Sequence, residues 1–209
     1  MHEEPPFSPS DRGWHGRGYL PHFESSAVLQ MVTCRLGDSL PREVVERLHD
    51  ELQHRKDAEP EYRRRVEAWL DAGHGCCVLR RPEAAELLVH AWRHFDGMRY
   101  RLHAWVVMPN HFHLLLEMLA PHALGEAVAS WKRFTAARIN RLLGQRGALW
   151  QADYWDRYIR DENHYASAVR YIHENPVKAG LVRKAEDWAW SSGSATLRSR
   201  LEKSGGEAA

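Results

Sequence analysis

The chain has 209 residues, of which 44% are hydrophobic and 27% charged, and its formal net charge is +1. These values are typical of a globular domain with a sizeable core, and no apolar run approaches the roughly 20 residues that a membrane-spanning helix needs. The three cysteines are odd in number and poorly spaced for disulfides, and the N-terminus has no apolar signal core. The sequence therefore excludes a disulfide scaffold and predicts a cytoplasmic protein without a membrane partner.

Composition divides the chain into three regions. Residues 1–18 are rich in Pro, Gly, Ser and charge, which predicts a disordered N-terminal tail. Residues 19–192 are predicted to form a single domain. Residues 193–209 are predicted to be a flexible C-terminal tail.

The first half of that domain alternates between extended and helical patterns. A strand is predicted within residues 27–35 and ends at a Gly-Asp turn signal. Apolar stripes within 44–52 and 62–70 predict two helices, and a third begins near Pro82 and closes at Gly97.

A possible metal cluster lies between the second and third of these helices. It consists of His74, Cys76 and Cys77. Because a fourth ligand at a suitable spacing is missing, the pattern favours buried cysteines with a structural role.

Residues 104–117 (AWVVMPNHFHLLLE) form the predicted centre of the domain. The break at Pro109-Asn110 indicates a tight turn between two buried strands. Side chains alternate along a strand, so His111 and His113 share one face, with Cα atoms roughly 6.6 Å apart. Two imidazoles at this spacing can bind one cation. Two histidines with structural roles in a sheet are the alternative.

A basic and aromatic region follows between residues 124 and 160. A helix is predicted over 124–143 with Gly144 as its stop, and an extended aromatic segment comes after it. Between residues 126 and 160, basic residues outnumber acidic residues by seven to three. Because bases stack on aromatic rings, the mixture indicates a nucleic-acid surface, with an ordinary solvated helix face as the alternative. The candidate DNA-binding residues are Lys132, Arg133, Arg138, Arg141, Arg157, Arg160 and Trp150.

A last helix is predicted from about Glu162 to His173, with its end near Asn175-Pro176. If the helix extends that far, Tyr171 and Asn175 lie one turn apart on one face, with Cβ atoms about 6 Å apart. The alternative for Asn175 is a helix-end signal before proline. The competing tyrosines are Tyr154, Tyr158 and Tyr165.

Four stretches of the chain resemble a known family. They are MPNHFHLLLE (108–117), LWQADYWDRYIR (149–160), YIHENPVKAGLV (171–182) and WAWSS (188–192). In this order they resemble the REP-associated tyrosine transposases, single-tyrosine enzymes whose HUH motif is a histidine, a bulky apolar residue and a histidine. The resemblance implies an α+β fold. It has a ferredoxin-like antiparallel sheet with helices on one side, the HUH motif on a central strand, and a helical elaboration between the first two strands.

The resemblance also implies a reaction. Tyr171 is implied as the nucleophile, and His111, His113 and Asn175 as ligands of Mg²⁺ or Mn²⁺, although two imidazoles alone also suit Zn²⁺. Single-stranded or hairpin DNA with REP-like repeats is then cleaved and rejoined through a 5′-phosphotyrosine. Two alternatives remain: a catalytically silent regulator that binds nucleic acid, and a hydrolase in which water replaces Tyr171. Both a monomer and a homodimer fit the sequence.

Overall fold

The N-terminal part of the chain forms a small sheet of its own. The structure, a computed structural model, describes residues 13–17, 20–24, 28–52 and 58–196. Strands β1 (Gly13–Arg17) and β2 (Leu20–Glu24) pair antiparallel. The prediction of disorder over residues 1–18 is therefore wrong for 13–17. Pairing with β2 satisfies the backbone N–H and C=O groups of this strand, and composition alone does not reveal such pairing. The remainder of that predicted tail lies outside the described residues.

The main sheet has four strands and carries the centre of the domain. They are β3 (Leu29–Arg35), β4 (Tyr100–Val107), β5 (His111–Met118) and β6 (Trp155–Tyr158). Their spatial order is β4-β5-β3-β6, and all neighbours are antiparallel. This confirms the predicted α+β, ferredoxin-like class and the position of the His-x-His pair on a central strand.

Five α-helices are described. They are α1 (Arg42–Leu52), α2 (Ala58–Asp71), α3 (Pro82–Arg93), α4 (Leu124–Leu143) and α5 (Glu162–Lys178), and 3₁₀ turns cover Val78–Arg80 and Ala185–Asp187. Helices α1 to α3 lie between β3 and β4 in the chain, which confirms the predicted helical elaboration. Gly144 ends α4 with a φ of 64°, a left-handed conformation that glycine adopts without strain, as predicted.

Helices α3 and α4 cover one face of the sheet. Trp92 of α3 and Trp131 of α4 pack in one buried cluster with Phe112 and Leu114 of β5. Tyr100 joins the two helices, because its hydroxyl donates to the Trp92 carbonyl and accepts from the Trp131 indole N–H.

Helix α5 covers the opposite face of the sheet. Its residues Ala168 and Ile172 pack with Val106 of β4 and Leu115 of β5. The resemblance implied helices on one side of the sheet. This holds for α3 and α4, which share a face, but not for α5, which lies on the other face. Strand β5 is buried on both faces, so each face requires a cover. One face carries Phe112, Leu114 and Leu116, and the other carries His111, His113 and Leu115.

The C-terminal part of the described chain returns to β4. The Trp190 carbonyl accepts from Val107 N–H, and the Trp105 carbonyl accepts from Ser192 N–H, so the predicted packing of 188–192 on the domain is confirmed. The flexible tail predicted from residue 193 is wrong at its start, because Gly193 and Ser194 are buried there. Residues 197–209 lie outside the described part. None of the described helices is both long and apolar enough to cross a membrane.

Candidate active site

The two histidines of β5 lie together under α5. His111 and His113 are each 1% exposed, and their ring centroids are 4.9 Å apart. In the register of the sheet they stand opposite Arg35 and Thr33 of β3. Their side chains occupy the face of β5 that Leu115 shares, so both imidazoles point toward α5.

A neighbouring side chain holds the Nδ1 atom of each imidazole. His111 Nδ1 donates to Asn110 Oδ1 at 2.8 Å, because an amide oxygen only accepts. His113 Nδ1 and Thr33 Oγ1 are hydrogen-bonded at 2.8 Å. His113 Nε2 is buried and has no hydrogen-bond partner among the described residues. This arrangement fixes the orientation of both rings and leaves the Nε2 side for a ligand, as is usual for metal-binding histidines.

Both imidazoles are neutral at pH 7. Burial is the main cause, because it disfavours the charged form, and it lowers the pKa of His113 to about 3. The pKa of His111 is also well below its usual value, through burial, His113 and Lys178. A neutral imidazole binds a metal ion without first releasing a proton.

Asn175 lies inside α5, not at its end. The helix continues through Pro176 to Lys178, and the Asn175 carbonyl accepts from Ala179 N–H at 2.9 Å. The predicted helix end near 175–176 is therefore wrong. Pro176 is buried inside the helix, which continues past it although proline has no backbone N–H to donate. Asn175 is 1% exposed, and its side-chain Oδ1 and Nδ2 have no partner within the described chain.

Tyr171 lies directly against the histidine pair. Its ring centroid is 5.3 Å from that of His113, and the two planes meet at 70°. The hydroxyl is buried and makes no hydrogen bond of standard geometry in the described structure, although the side chains of Glu67 and Asn175 are close enough to affect its pKa. Burial, and then the negative charges of Glu67 and Asp71, raise the pKa of Tyr171 above its usual value. The phenol is thus protonated at neutral pH.

Helix α2 adds an acidic side to the site. Asp71 Oδ2 accepts from Lys178 Nζ at 3.0 Å, and Lys178 Nζ is 5.6 Å from the centroid of the Tyr171 ring. Burial raises the pKa of Glu67, one turn before Asp71. The sequence interpretation missed all three residues. Lys178 has a signal, since it is seven residues after Tyr171 on the same helix face. The approach of α2 is a tertiary contact with no local signal.

The competing tyrosines lie elsewhere. Tyr158 is in strand β6, as predicted, and Tyr154 is buried with Lys132 Nζ 5.5 Å from its ring centroid. Tyr165 is on α5, where its ring lies 5.7 Å from that of His103.

Metal-binding clusters of the usual side chains are absent from the described ranges. No group of three or more His, Cys, Asp or Glu residues there is placed to hold an ion. The predicted burial of the two cysteines is wrong, because Cys76 is exposed and Cys77 is only partly buried. The set His111, His113 and Asn175 has two imidazoles and one amide.

The arginines of the predicted DNA surface are exposed. On α4 these are Arg133, Arg138 and Arg141, and the Arg138 guanidinium lies 3.9 Å from the centroid of the Phe134 ring. Arg157 and Arg160 are exposed in and after β6. The predicted exposure of Arg133 and Arg141 is confirmed.

Two residues predicted to bind DNA make contacts within the protein. Lys132 Nζ donates to the carbonyls of three consecutive residues, Gln151, Ala152 and Asp153, at 2.9 to 3.1 Å. Trp150 is 7% exposed, packs against Phe112, and donates from Nε1 to Thr135 Oγ1. Their assignment to the DNA surface stays a prediction, and these contacts within the protein disfavour it. Trp150 is buried, whereas Lys132 is only partly buried.

Comparison with known proteins supports the motifs. Residues 78–175 match the family model described as "Transposase IS200 like". The chain is 33% identical over 97 residues to the REP-associated tyrosine transposase of Escherichia coli (strain K12). The aligned residues make up 44% of this chain and 54% of that protein. The resemblance is confirmed. The chain spans about half the length of the curated REP-associated tyrosine transposases that it matches.

A solved structure shows the same fold. It is a REP-associated tyrosine transposase bound to a REP hairpin, with a TM-score of 0.56 and 20% identity over 84% of this chain and 82% of that chain. The segment matched by the family model begins at Val78 and ends at Asn175. It thus includes the histidine pair and Tyr171, whereas α1 and α2 precede it.

Proposed function

We propose that this chain cleaves and rejoins single-stranded or hairpin DNA through a covalent bond between Tyr171 and the 5′ phosphate of the cut strand, as HUH tyrosine transposases do. The observation that carries the proposal is the contact between Tyr171 and His113 beside buried polar atoms that lack partners. A buried unpaired polar group costs free energy, and such groups commonly mark a functional site.

The residues at this site fit a divalent metal ion. His111, His113 and Asn175 would hold it, through two neutral imidazoles and an amide oxygen that are all buried. Mg²⁺ or Mn²⁺ suits DNA cleavage, and two imidazoles also accept Zn²⁺. When bound, the ion stabilises negative charge on the phosphate that is attacked.

The chain itself supplies the nucleophile and its orientation. The phenol of Tyr171 is protonated, and forming the phenolate at pH 7 costs roughly 4 kcal/mol from an ordinary pKa of about 10. As the Tyr171 oxygen bonds to phosphorus, the bond from phosphorus to the 3′ oxygen breaks. The phenol proton is lost and the leaving 3′ oxygen gains one, which gives a 5′-phosphotyrosine and a free 3′-hydroxyl. Rejoining is the reverse reaction.

Hairpin DNA is the proposed partner. The similar transposase structure contains a REP hairpin, and this chain has exposed arginines on α4 and near β6. Phosphate contacts from such residues supply affinity that does not depend on sequence.

The experiment is incubation with labelled hairpin or single-stranded DNA and Mn²⁺, followed by a denaturing gel. We expect a slowly migrating protein–DNA band that Tyr171→Phe abolishes and that Tyr165→Phe, on the same helix, retains. A band that persists with Tyr171→Phe contradicts the assignment. Cleavage without a band indicates the hydrolase, and binding without cleavage indicates the regulator.

A further inference from the structure

Lys178 and Asp71 form an ion pair that lies over the proposed nucleophile. The Nζ and Oδ2 atoms are 3.0 Å apart, and the ammonium is 5.6 Å from the centroid of the Tyr171 ring. The Asp71 side chain is only 13% exposed. Both residues lie outside the segment matched by the family model, so the match assigns them no role.

The position of Lys178 on α5 places its charge beside the ring of the proposed nucleophile. It follows Asn175 by three residues and Tyr171 by seven, so the three side chains lie along one face of the helix. In the described chain, it is also the cation whose charge acts on both His111 and His113. A phosphodiester that Tyr171 attacks must come close to this ammonium.

The Asp71 carboxylate occupies the position beside Lys178 that a phosphate oxygen of such a phosphodiester would take. Asp71 accepts from Lys178 as a phosphate oxygen would, and the charges of Asp71 and Glu67 both act on Tyr171. The Tyr171 hydroxyl is fully buried. Because like charges in close contact repel strongly where water is scarce, a phosphate and these carboxylates do not share the space.

We propose that Lys178 binds the scissile phosphate and that Asp71 occupies its position until DNA arrives. The inference rests on the proposed function and adds a residue to the same site. Lys178 neutralises charge on the non-bridging oxygens while the bond from Tyr171 to phosphorus forms and the bond to the 3′ oxygen breaks. DNA binding then requires that the ion pair opens.

A double-mutant cycle tests this, with Lys178→Met, Asp71→Asn and the combined variant. The measurements are the rate of adduct formation at saturating hairpin DNA with Mn²⁺, and the DNA affinity by fluorescence anisotropy. We expect Lys178→Met to slow adduct formation by about 10²-fold. Asp71→Asn should tighten DNA binding about threefold to fivefold, because binding no longer has to break the ion pair. In the Lys178→Met background the same substitution should change affinity little.

Two controls define the outcomes. Lys178→Arg keeps the charge and should recover part of the rate, and Lys184→Met removes a lysine whose ion pair with Glu186 lies outside the site. An unchanged rate in Lys178→Met, or equal effects of Asp71→Asn in both backgrounds, overturns the proposal. If wild type forms no adduct but the affinity coupling is present, phosphate binding by Lys178 stands and the strand-transfer function fails.

Discussion

His113 and Tyr171 meet edge to face, with ring centroids 5.3 Å apart and planes inclined at 70°. One residue belongs to β5 and the other to α5, so the contact fixes the distance between strand and helix. Aromatic pairs of this kind contribute about 0.5–1.5 kcal/mol beyond the area they bury. The proposed nucleophile and ligands are therefore assembled by the fold before any DNA binds.

Replacing His111 and His113 together with alanine should abolish binding of Mn²⁺. The two imidazoles are the only nitrogen ligands in the proposed set, and one amide oxygen alone binds the ion weakly. Isothermal titration calorimetry measures this. His103→Ala, an exposed histidine on the neighbouring strand, is the matched control and should bind Mn²⁺ like wild type. Unchanged binding in the double variant would mean that the histidines have a structural role only.

Replacing each of two buried asparagines with leucine should affect stability differently. Asn110 donates to the His74 carbonyl and accepts from His111, so Asn110→Leu should lower the free energy of unfolding by about 1–3 kcal/mol. Asn175 has no such partners, so Asn175→Leu should cost little without metal. Mn²⁺ should then raise the melting temperature of wild type but not of Asn175→Leu. Stabilisation by Mn²⁺ in that variant would remove Asn175 from the ligand set.

Local patterns predicted much of this fold, and tertiary contacts account for what they missed. The bounds of α4 follow from its apolar stripe and Gly144, and the face shared by His111 and His113 follows from strand alternation. The predicted end of α5 was wrong, because the helix continues through Pro176, whose burial depends on tertiary packing and has no local signal. The approach of Asp71 is likewise invisible in sequence, since α2 and α5 are far apart in the chain.

Lys132 should matter for stability and not for DNA binding. Its ammonium donates to three carbonyls, so Lys132→Met should lower the free energy of unfolding by about 1–3 kcal/mol. The adjacent exposed residue gives a matched control, and Arg133→Met should change stability by less than about 0.5 kcal/mol. Urea denaturation of both variants measures the difference. Equal stability of the two would contradict the structural role of Lys132.

Arg133 and Arg141 test the DNA surface of α4. If both contact phosphates, Arg133→Ala/Arg141→Ala should weaken binding to all sequences alike. The slope of log affinity against log salt should fall by about 0.7 per lost contact on single strands, and by about 0.9 on duplex DNA. Affinity measured across a salt series provides the slopes. Parallel lines for variant and wild type would move the phosphate contacts to Arg157 and Arg160.

The segment 188–192 closes the side of the sheet on which β4 lies. Backbone N–H and C=O groups of β4 that would otherwise face solvent are engaged by Trp190 and Ser192. An open strand edge is a template on which a second chain can add a strand, which leads to self-association. A chain cut before Trp188 would therefore expose the unpaired edge of β4, next to the strand that carries the histidine pair. Its oligomeric state would then reflect the cut and not the protein.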